Sequence, residues 1–325
     1  MFRRMFRAMY RLLVSLAAYF YDLQRFLKYS GWLGDINHKI LNHRLSMVCH
    51  GLEKSLSAKN RNNSHGWENS KKLMALINST HEKHKGTNYF YSLAVMKKFL
   101  EINTEYGLEN HKSLYSDLSS LWEAKISFDD GVGYLELDKS DIEKGKLTSP
   151  ENFFMSRYSM REFADENVDE ELIDRSLRLA LKTPSACNRK GWHVYRSADR
   201  DVITKALSLQ NGNKSFGKDV PYILIVCGDR SAFFTGEERN QHLIDGGMFS
   251  MSLLYGLHSL GLAACALNWS VKPNVDRKLR KNLNISPHFD VLMMVAVGNQ
   301  PKTFKVCRSY RGTLTDYVSK LRIMK

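Results

Sequence analysis

Two guanidinium groups lie four positions apart at residues 156–161, in the sequence SRYSMR. Arg157 and Arg161 are the two arginines, and Tyr158 and Ser159 supply hydroxyl groups between them. Hydrogen bonds from an arginine to a phosphate oxygen are charge-assisted and contribute about 1.5–3 kcal/mol each. The segment could therefore grip a phosphate dianion, although taken alone it is better explained as an exposed basic turn.

A second candidate segment occupies residues 184–192 and reads PSACNRKGW. After Pro184, the small residues Ser185 and Ala186 allow backbone amides to approach the edge of a ligand. Asn188 offers both a donor and an acceptor, and Lys190 could neutralise an anionic ring or a phosphate. An ordinary turn between a helix and a strand does not need this combination, which favours a ligand site.

A third segment lies near the carboxyl end, at residues 305–311, and again combines two arginines with a serine. Arg308 and Arg311 are its candidates for further contacts to phosphate. Together, the three segments contain the side chains needed to hold a phosphorylated, planar ligand.

The second half of the chain alternates helix and strand patterns that would position these segments. One helix is predicted over residues 169–181, and a more apolar one over residues 248–260. Short apolar runs predict four strands, at residues 192–195, 222–227, 263–267 and 291–297. Helices interleaved with strands indicate an α+β domain with one buried sheet. Neither GxGxxG nor GxxxxGK[ST] occurs, so the sequence has no dinucleotide fingerprint and no P-loop.

In order and spacing, these segments resemble the nitroreductase family of FMN-dependent oxidoreductases over about residues 153–314. The family's R-x-S-x-[RK] element corresponds to Arg157, Ser159 and Arg161, and its P-S-x-x-N-x-Q-P-W element corresponds to residues 184–192. Three further elements follow in the family's order, namely an apolar helix ending in LGLA at 260–263, a strand reading VAVGNQP at 295–301, and the basic tail with Arg308 and Arg311.

The resemblance implies a sheet sandwiched by helices, in an intertwined homodimer that binds FMN at the subunit interface. Arg157, Ser159 and Arg161 would hold the FMN phosphate and the pyrimidine side of the ring, and residues 313–325 would reach across to the partner. The resemblance also implies ping-pong hydride transfer, in which NAD(P)H reduces FMN and an unidentified small-molecule acceptor then takes the electrons. Because the flavin carries the reaction, we expect no acid–base side chain and no metal ligand.

Two departures from the family pattern fall at the expected flavin site. Lys190 and Gly191 replace the usual Gln-Pro, which puts a longer cation where an amide is expected near the ring. Asn268 and Trp269 stand where the family has a Glu-Gly or similar pair under the flavin N5. A backbone amide near Asn268 could still donate to N5, and Trp269 would narrow the substrate face.

The first half of the chain has a different character, being polar and helix-like with few strand signals. A boundary is predicted in GKLTSP at residues 145–150, where glycine, a possible helix cap and proline follow one another. The sequence therefore predicts three parts: a basic amphipathic helix at 1–30, a helical region at 31–148, and an FMN-binding domain at 149–325. The helical region could serve as a lid, a partner site or a spacer from a membrane.

Ionisable side chains recur on neighbouring turns of this helical region, in HRLSMVCHGLEKSL. His43, His50, Glu53 and Lys54 have a spacing that could support a small polar site. Such spacing is more typical of solvated pairs on a helix face, which is the interpretation adopted here.

The amino-terminal segment predicts an amphipathic helix. Its apolar residues recur every three or four positions, at Phe2, Phe6, Met9, Leu13, Leu16, Phe20, Leu23 and Leu27. Four arginines lie off this stripe, at Arg3, Arg4, Arg7 and Arg11. The uncharged run at 12–21 has half of the roughly 20 residues that a membrane span needs. Peripheral attachment to an anionic membrane and packing of the stripe on the protein's own core both remain open.

Composition indicates a globular protein, with 43% hydrophobic and 25% charged residues. Lys and Arg number 48 against 34 Asp and Glu, and this net charge of +14 suggests a partner bearing phosphate or an anionic membrane. The sequence shows no basic stripe with interleaved aromatic residues, the pattern expected of a nucleic-acid-binding module. The 5 cysteines are far apart and form no CxxC pair, which favours free thiols in the cytoplasm or on the cytoplasmic face of a membrane. The alternative function is a catalytically altered, dimeric scaffold at the membrane surface.

Overall fold

The computed structural model describes residues 2–32, 37–59, 61–122, 128 and 131–323 of the chain. Its centre is one four-stranded sheet in the order β1-β2-β4-β3, and every neighbouring pair of strands is antiparallel. The strands are β1 (Trp192–Ser197), β2 (Tyr222–Asp229), β3 (Leu262–Asn268) and β4 (Phe289–Asn299). Each of the four predicted strands is confirmed.

Helices make up most of the remaining described chain. In the first half they are α1 (Phe2–Tyr29), α2 (His38–Leu56), α3 (Trp67–Asn78), α4 (Thr87–Ile102), α5 (Thr104–Asn110), α6 (Lys112–Leu121) and α7 (Lys139–Glu143). In the second half they are α8 (Pro150–Met155), α9 (Glu170–Ala180), α10 (Arg200–Leu207), α11 (Gln241–Ser259) and α12 (Pro273–Leu283). The predicted fold class, an α+β domain preceded by a helical region, is confirmed.

Strand β2 shows why the sheet is covered on both faces. Every residue of its sequence YILIVCGD is buried. Because successive side chains of a strand point to opposite faces, Leu224 and Val226 pack towards α9 and α11, whereas Ile223 and Ile225 pack towards α10 and α12. The sheet is therefore the middle layer of a sandwich with helices on either side.

The first half has its own hydrophobic core. Helices α2, α3, α4 and α6 contribute buried side chains such as Leu52, Leu73, Phe99 and Leu118. These residues pack together in a cluster distinct from the two clusters that cover the sheet.

Helix α1 attaches to the sheet domain through polar side chains near its carboxyl end. Its apolar stripe is exposed along most of the helix, including Phe6, Leu13, Leu16 and Phe20. The interpretation in which this stripe packs on the protein's own core is therefore wrong for this chain. Over the residues that the structure describes, no helix combines the length and the apolar character needed to cross a bilayer.

Candidate functional site

The first candidate segment, residues 156–161, lies along the edge strand β3. The backbone N–H of Met160 donates to the carbonyl of Ala264 at 3.0 Å. At the start of the segment, Ser156 Oγ lies 3.0 Å from Nε2 of His258, near the carboxyl end of α11. This ring nitrogen also lies 3.1 Å from the carbonyl oxygen of Phe153. His258 therefore ties α8 to α11, and burial lowers its pKa, both of which fit a structural histidine.

A cavity of about 350 Å³ opens beside this segment. Arg157 and Tyr158 lie on its wall, together with apolar side chains that include Leu254, Leu262 and Phe304. The cavity thus combines a cationic side chain with an apolar lining, as a site for a charged ligand with a flat, apolar part requires.

The carboxyl-terminal segment lies next to the first one in the same chain. Arg161 Nη1 is 3.7 Å from Cys307 Sγ, and the N–H of Lys305 donates to Glu162 Oε1 at 3.2 Å. Arg308 follows Cys307 directly, and both Arg308 and Arg311 are exposed. The cationic side chains predicted to bind phosphate are therefore carried by two adjacent, solvent-accessible segments.

The thiol of Cys265 in β3 provides a second indication that these cations converge. Burial raises its pKa, and the positive charges of Arg161 and Arg157 oppose that shift. Both guanidinium groups therefore act on the same side chain of the strand. Ser159 lies between them, and its carbonyl accepts a long 3.5 Å contact from Arg161.

The second candidate segment, residues 184–192, lies near the opposite end of α11. The N–H of Ala186 donates to Oδ2 of Asp245 at 3.0 Å, and the N–H of Lys190 donates to Oγ of Ser185 at 2.9 Å. Pro184, the first residue of the segment, is exposed. Sequence reasoning did not identify Asp245, because no local pattern shows that α11 returns to this loop.

The backbone of this loop is unusual. Cys187, Asn188 and Lys190 have φ angles of 52°, 52° and 51°, in the left-handed region that favours glycine. Such residues are stable only where the surroundings hold them, and they cluster at ligand sites. The surrounding structure therefore holds the backbone of this loop in a defined conformation.

Helix α2 of the first half supplies part of that support. Ser46 Oγ donates to the carbonyl of Asn188 at 2.7 Å, and His43 Nδ1 lies 3.1 Å from the carbonyl of Arg189. On its other side, His43 Nε2 lies 3.1 Å from Oδ2 of Asp229 at the end of β2. The prediction that His43 is part of a solvated pair on a helix face is wrong, because this side chain is buried between the two halves of the chain.

The guanidinium group of Arg189 is fully buried and anchors the loop to residues 232–238. It donates to the carbonyl of Ala232 at 3.0 Å, forms an ion pair with Glu238, and lies 4.5 Å from the ring centre of Phe233. Because these contacts occupy the side chain, Arg189 has a structural role.

Lys190, which replaces the family's amide, faces the first half of the chain. Burial lowers its pKa, and the carboxylate of Glu53 in α2 opposes that shift. Glu53 itself accepts a hydrogen bond from Tyr91 at 2.6 Å and lies 3.0 Å from Nδ1 of His50. The predicted pair on the helix face is present between His50 and Glu53, but it is not fully solvated, because Glu53 belongs to a partly buried polar cluster facing the loop.

The two ends of α11 keep the first and second segments apart within one chain. Their contacts on this helix, Asp245 and His258, are thirteen residues apart. At about 1.5 Å per residue this separation is about 20 Å. One chain therefore brings the first and third segments together but leaves the second segment at a distance.

Asn268 and Trp269 lie at the end of β3 that is away from the first segment. Asn268 follows Ala264 by four residues, or about 13 Å of extended strand. The carbonyl of Asn268 accepts from Gln210 at 3.0 Å, and the indole of Trp269 donates to Asp276 at 2.9 Å. The Trp269 ring packs against the core on the α10 and α12 side, so within this chain its indole is held by α12.

Comparisons with known proteins agree with the resemblance. A family model described as "Nitroreductase family" matches residues 154–210. The chain is 31% identical over 146 residues to a "Putative NADH dehydrogenase/NAD(P)H nitroreductase" of Methanothermobacter thermautotrophicus, covering 44% of this chain and 73% of that relative. A relative of the same name from Archaeoglobus fulgidus is 24% identical over 146 residues, covering 44% of this chain and 80% of that one.

Among solved structures, an FMN-dependent nitroreductase from Clostridium difficile matches with 20% identity and a TM-score of 0.45, covering 53% of this chain and 99% of that one. The relationship itself rests on the sequence match to the Methanothermobacter protein, which extends over most of that relative's length. The chain belongs to the nitroreductase family of FMN-dependent oxidoreductases.

Proposed function

We propose that this protein oxidises NAD(P)H and passes the electrons as hydride to a small-molecule acceptor, by ping-pong kinetics, in a homodimer with a flavin site between its subunits. The observation that carries the proposal is the adjacency of the first and third segments beside an apolar cavity. Arg161 and Cys307 are in contact, and Arg157 lies on the cavity wall.

The chemistry of this donor set fits FMN. Guanidinium groups of Arg157 and Arg161, with Arg308 and Arg311 on the adjacent tail, suit a phosphate dianion, and the apolar cavity wall suits a flat ring. When bound, FMN supplies hydride acceptance and donation. The chain's own side chains hold the charge, exclude water from the ring and orient it.

A second copy of the chain would complete the site. Since the second segment lies about 20 Å along α11 from the first, we infer that the loop containing Ala186 and Asn188 serves the flavin of the partner subunit. The apolar side chains that α11 leaves exposed, among them Leu243, Ile244 and Met248, support a subunit contact along this helix.

The identity of the electron donor rests on the relatives. The Methanothermobacter and Archaeoglobus proteins are named for NADH dehydrogenase and NAD(P)H nitroreductase activities. We therefore expect a nicotinamide donor here. The acceptor would meet a site edged by Lys190, whose charge faces Glu53.

We also treat residues 31–148 and 149–325 as separate domains, a division that their distinct hydrophobic clusters support. We place the enzyme in the cytoplasm, since the cysteines at 49, 187, 227, 265 and 307 are all free.

The test is reconstitution with FMN. The purified protein should be yellow, with absorbance near about 450 nm, and should oxidise NADH or NADPH. Replacing Arg157 and Arg161 together by glutamine should weaken FMN binding at least about tenfold, because each charged hydrogen bond contributes about 1.5–3 kcal/mol. Quenching of FMN fluorescence measures this affinity independently of turnover.

Arg178→Gln is the matched control, because Arg178 is an exposed arginine of α9 whose charge pairs with Glu171. This variant should bind FMN as the unmodified protein does. A protein that binds no FMN, or a double variant that binds FMN normally, would overturn the proposal. FMN binding with no nicotinamide oxidation would favour the dimeric scaffold instead.

A further inference from the structure

The side of α1 that contacts the rest of the chain is polar. Tyr21 donates to Oδ2 of Asp276 at 2.7 Å, and Asp22 lies 3.2 Å from Arg230. One turn later, Arg25 forms a buried ion pair with Asp290 of β4. These contacts fix the rotation of the helix about its own axis, so the direction of its other side is determined.

The opposite side of α1 is apolar and exposed. Leu16 precedes Arg25 by nine residues, which at about 100° per residue places the two on opposite sides of the helix. Leu13, Leu16 and Phe20 are 58%, 55% and 60% exposed. The apolar face of α1 is therefore continuous and exposed to solvent, an arrangement that soluble proteins normally avoid.

The charge along α1 indicates what covers this face. Its amino-terminal half has exposed arginines at positions 3, 4, 7 and 11, and its first acidic residue is Asp22. At about 100° per residue these arginines lie on the side of the helix that also carries Arg25, opposite Leu16, so α1 has the separate basic and apolar sides of a helix that lies in a membrane interface. A surface of anionic lipid offers complementary charge and an apolar layer at the same depth.

We propose that α1 docks the protein on an anionic membrane surface, with its apolar face at the boundary between headgroups and acyl chains and its arginines among the lipid phosphates. This proposal is independent of the flavin chemistry. It rests on the outward direction of the apolar face and on the basic residues of the opposite, polar side of the helix.

Sedimentation with lipid vesicles tests the proposal on the full-length protein. The protein should pellet with vesicles of phosphatidylcholine containing phosphatidylglycerol, and at least about tenfold less with phosphatidylcholine alone, since each basic residue near an anionic surface adds appreciably to affinity. Raised salt should weaken the binding, because exposed charges are screened.

Two variants separate the apolar and the charged contributions. Leu13→Gln, Leu16→Gln and Phe20→Gln together should reduce binding to anionic vesicles at least about tenfold. Arg3→Gln, Arg7→Gln and Arg11→Gln together should remove the preference for anionic lipid. Both leave the attachment residues Tyr21 and Arg25 unchanged, so circular dichroism and FMN content should be unaltered.

The matched control changes exposed apolar residues elsewhere, as Leu137→Gln, Ile142→Gln and Leu147→Gln. It should pellet with anionic vesicles as the unmodified protein does. Absence of binding to anionic vesicles at low salt would overturn the proposal, and so would normal binding by the apolar variant. Dissociation of a dimer by the apolar variant, with no lipid binding by the parent, would assign the face to a second copy.

Discussion

At the residue scale, His288 shows how burial sets a protonation state away from the flavin site. Its side chain packs on Phe289, and both ring nitrogens lie close to Nζ of Lys39, at 3.1 and 3.2 Å. Burial, reinforced by the charge of Lys39 and opposed by Asp229, lowers its pKa from 6.5 to about 4. The folded protein therefore holds this histidine neutral.

Because the pKa of His288 is lower in the folded than in the unfolded chain, unfolding takes up a proton between these two values. Its contribution to stability is present above pH 6.5 and is lost as the pH falls towards 4. In His288→Gln, the fall in the free energy of unfolding over this pH range should be smaller by up to about 3 kcal/mol. Urea unfolding measured between pH 7 and 4 tests it, with the exposed His81→Gln as control. Equal pH dependence in both variants would contradict the assignment.

The same scale shows which site residues can be found from sequence. Arg157, Arg161 and Arg308 could be predicted as phosphate ligands because each belongs to a short local motif whose chemistry is evident. The contacts of His43 and Asp245 could not be predicted, because they join residues 146 and 59 positions apart in the chain. Nothing near either residue in sequence indicates the loop that it supports.

At the element scale, the strands were predictable because each is a short apolar run between turn signals. Strand β2, with all its residues buried, gives the clearest such run. The direction of α1 was not predictable, since an amphipathic pattern shows that a helix has two sides but not which side the chain covers. The polar anchors Asp22 and Arg25 settle that point.

Helix α2 leads to a prediction about the left-handed loop. Ser46→Ala removes the hydrogen bond to the Asn188 carbonyl and should weaken FMN binding about two- to tenfold, as expected for one neutral hydrogen bond of about 0.5–1.5 kcal/mol. Fluorescence titration with FMN measures the effect. The control is Ser55→Ala in the same helix, whose hydroxyl bonds the carbonyl of Leu52 within α2. A similar change in FMN affinity for the two variants would show that α2 acts only through general stability.

At the scale of the whole molecule, the proposed sharing of the flavin site between two subunits predicts complementation. One partner carries Arg157→Gln and Arg161→Gln in the first segment. The other carries Asn188→Asp, which keeps a residue type that tolerates the left-handed backbone while replacing the amide donor with an anion. Each variant alone should bind FMN poorly.

Coexpression of the two variants should restore about a quarter of the nicotinamide oxidation, since half of the dimers are mixed and each mixed dimer has one intact site of two. Activity of the unfractionated mixture gives the measurement, and mixed dimers copurified through two different tags should keep about half of the activity. If both segments serve the flavin of their own chain, mixing cannot restore any activity.

The buried pair between Arg25 and Asp290 has a mechanical consequence. Asp290 also contacts His242 of α11 and Arg230, so its ion pairs attach α1 to the central sheet and to the long helix beside it. A protein resting on lipid along the apolar side of α1 would therefore keep one orientation relative to the bilayer, because the helix cannot turn against the sheet. In a two-fold assembly attached through two such helices, with the symmetry axis along the bilayer normal, both catalytic openings would face the bilayer at the same angle and height.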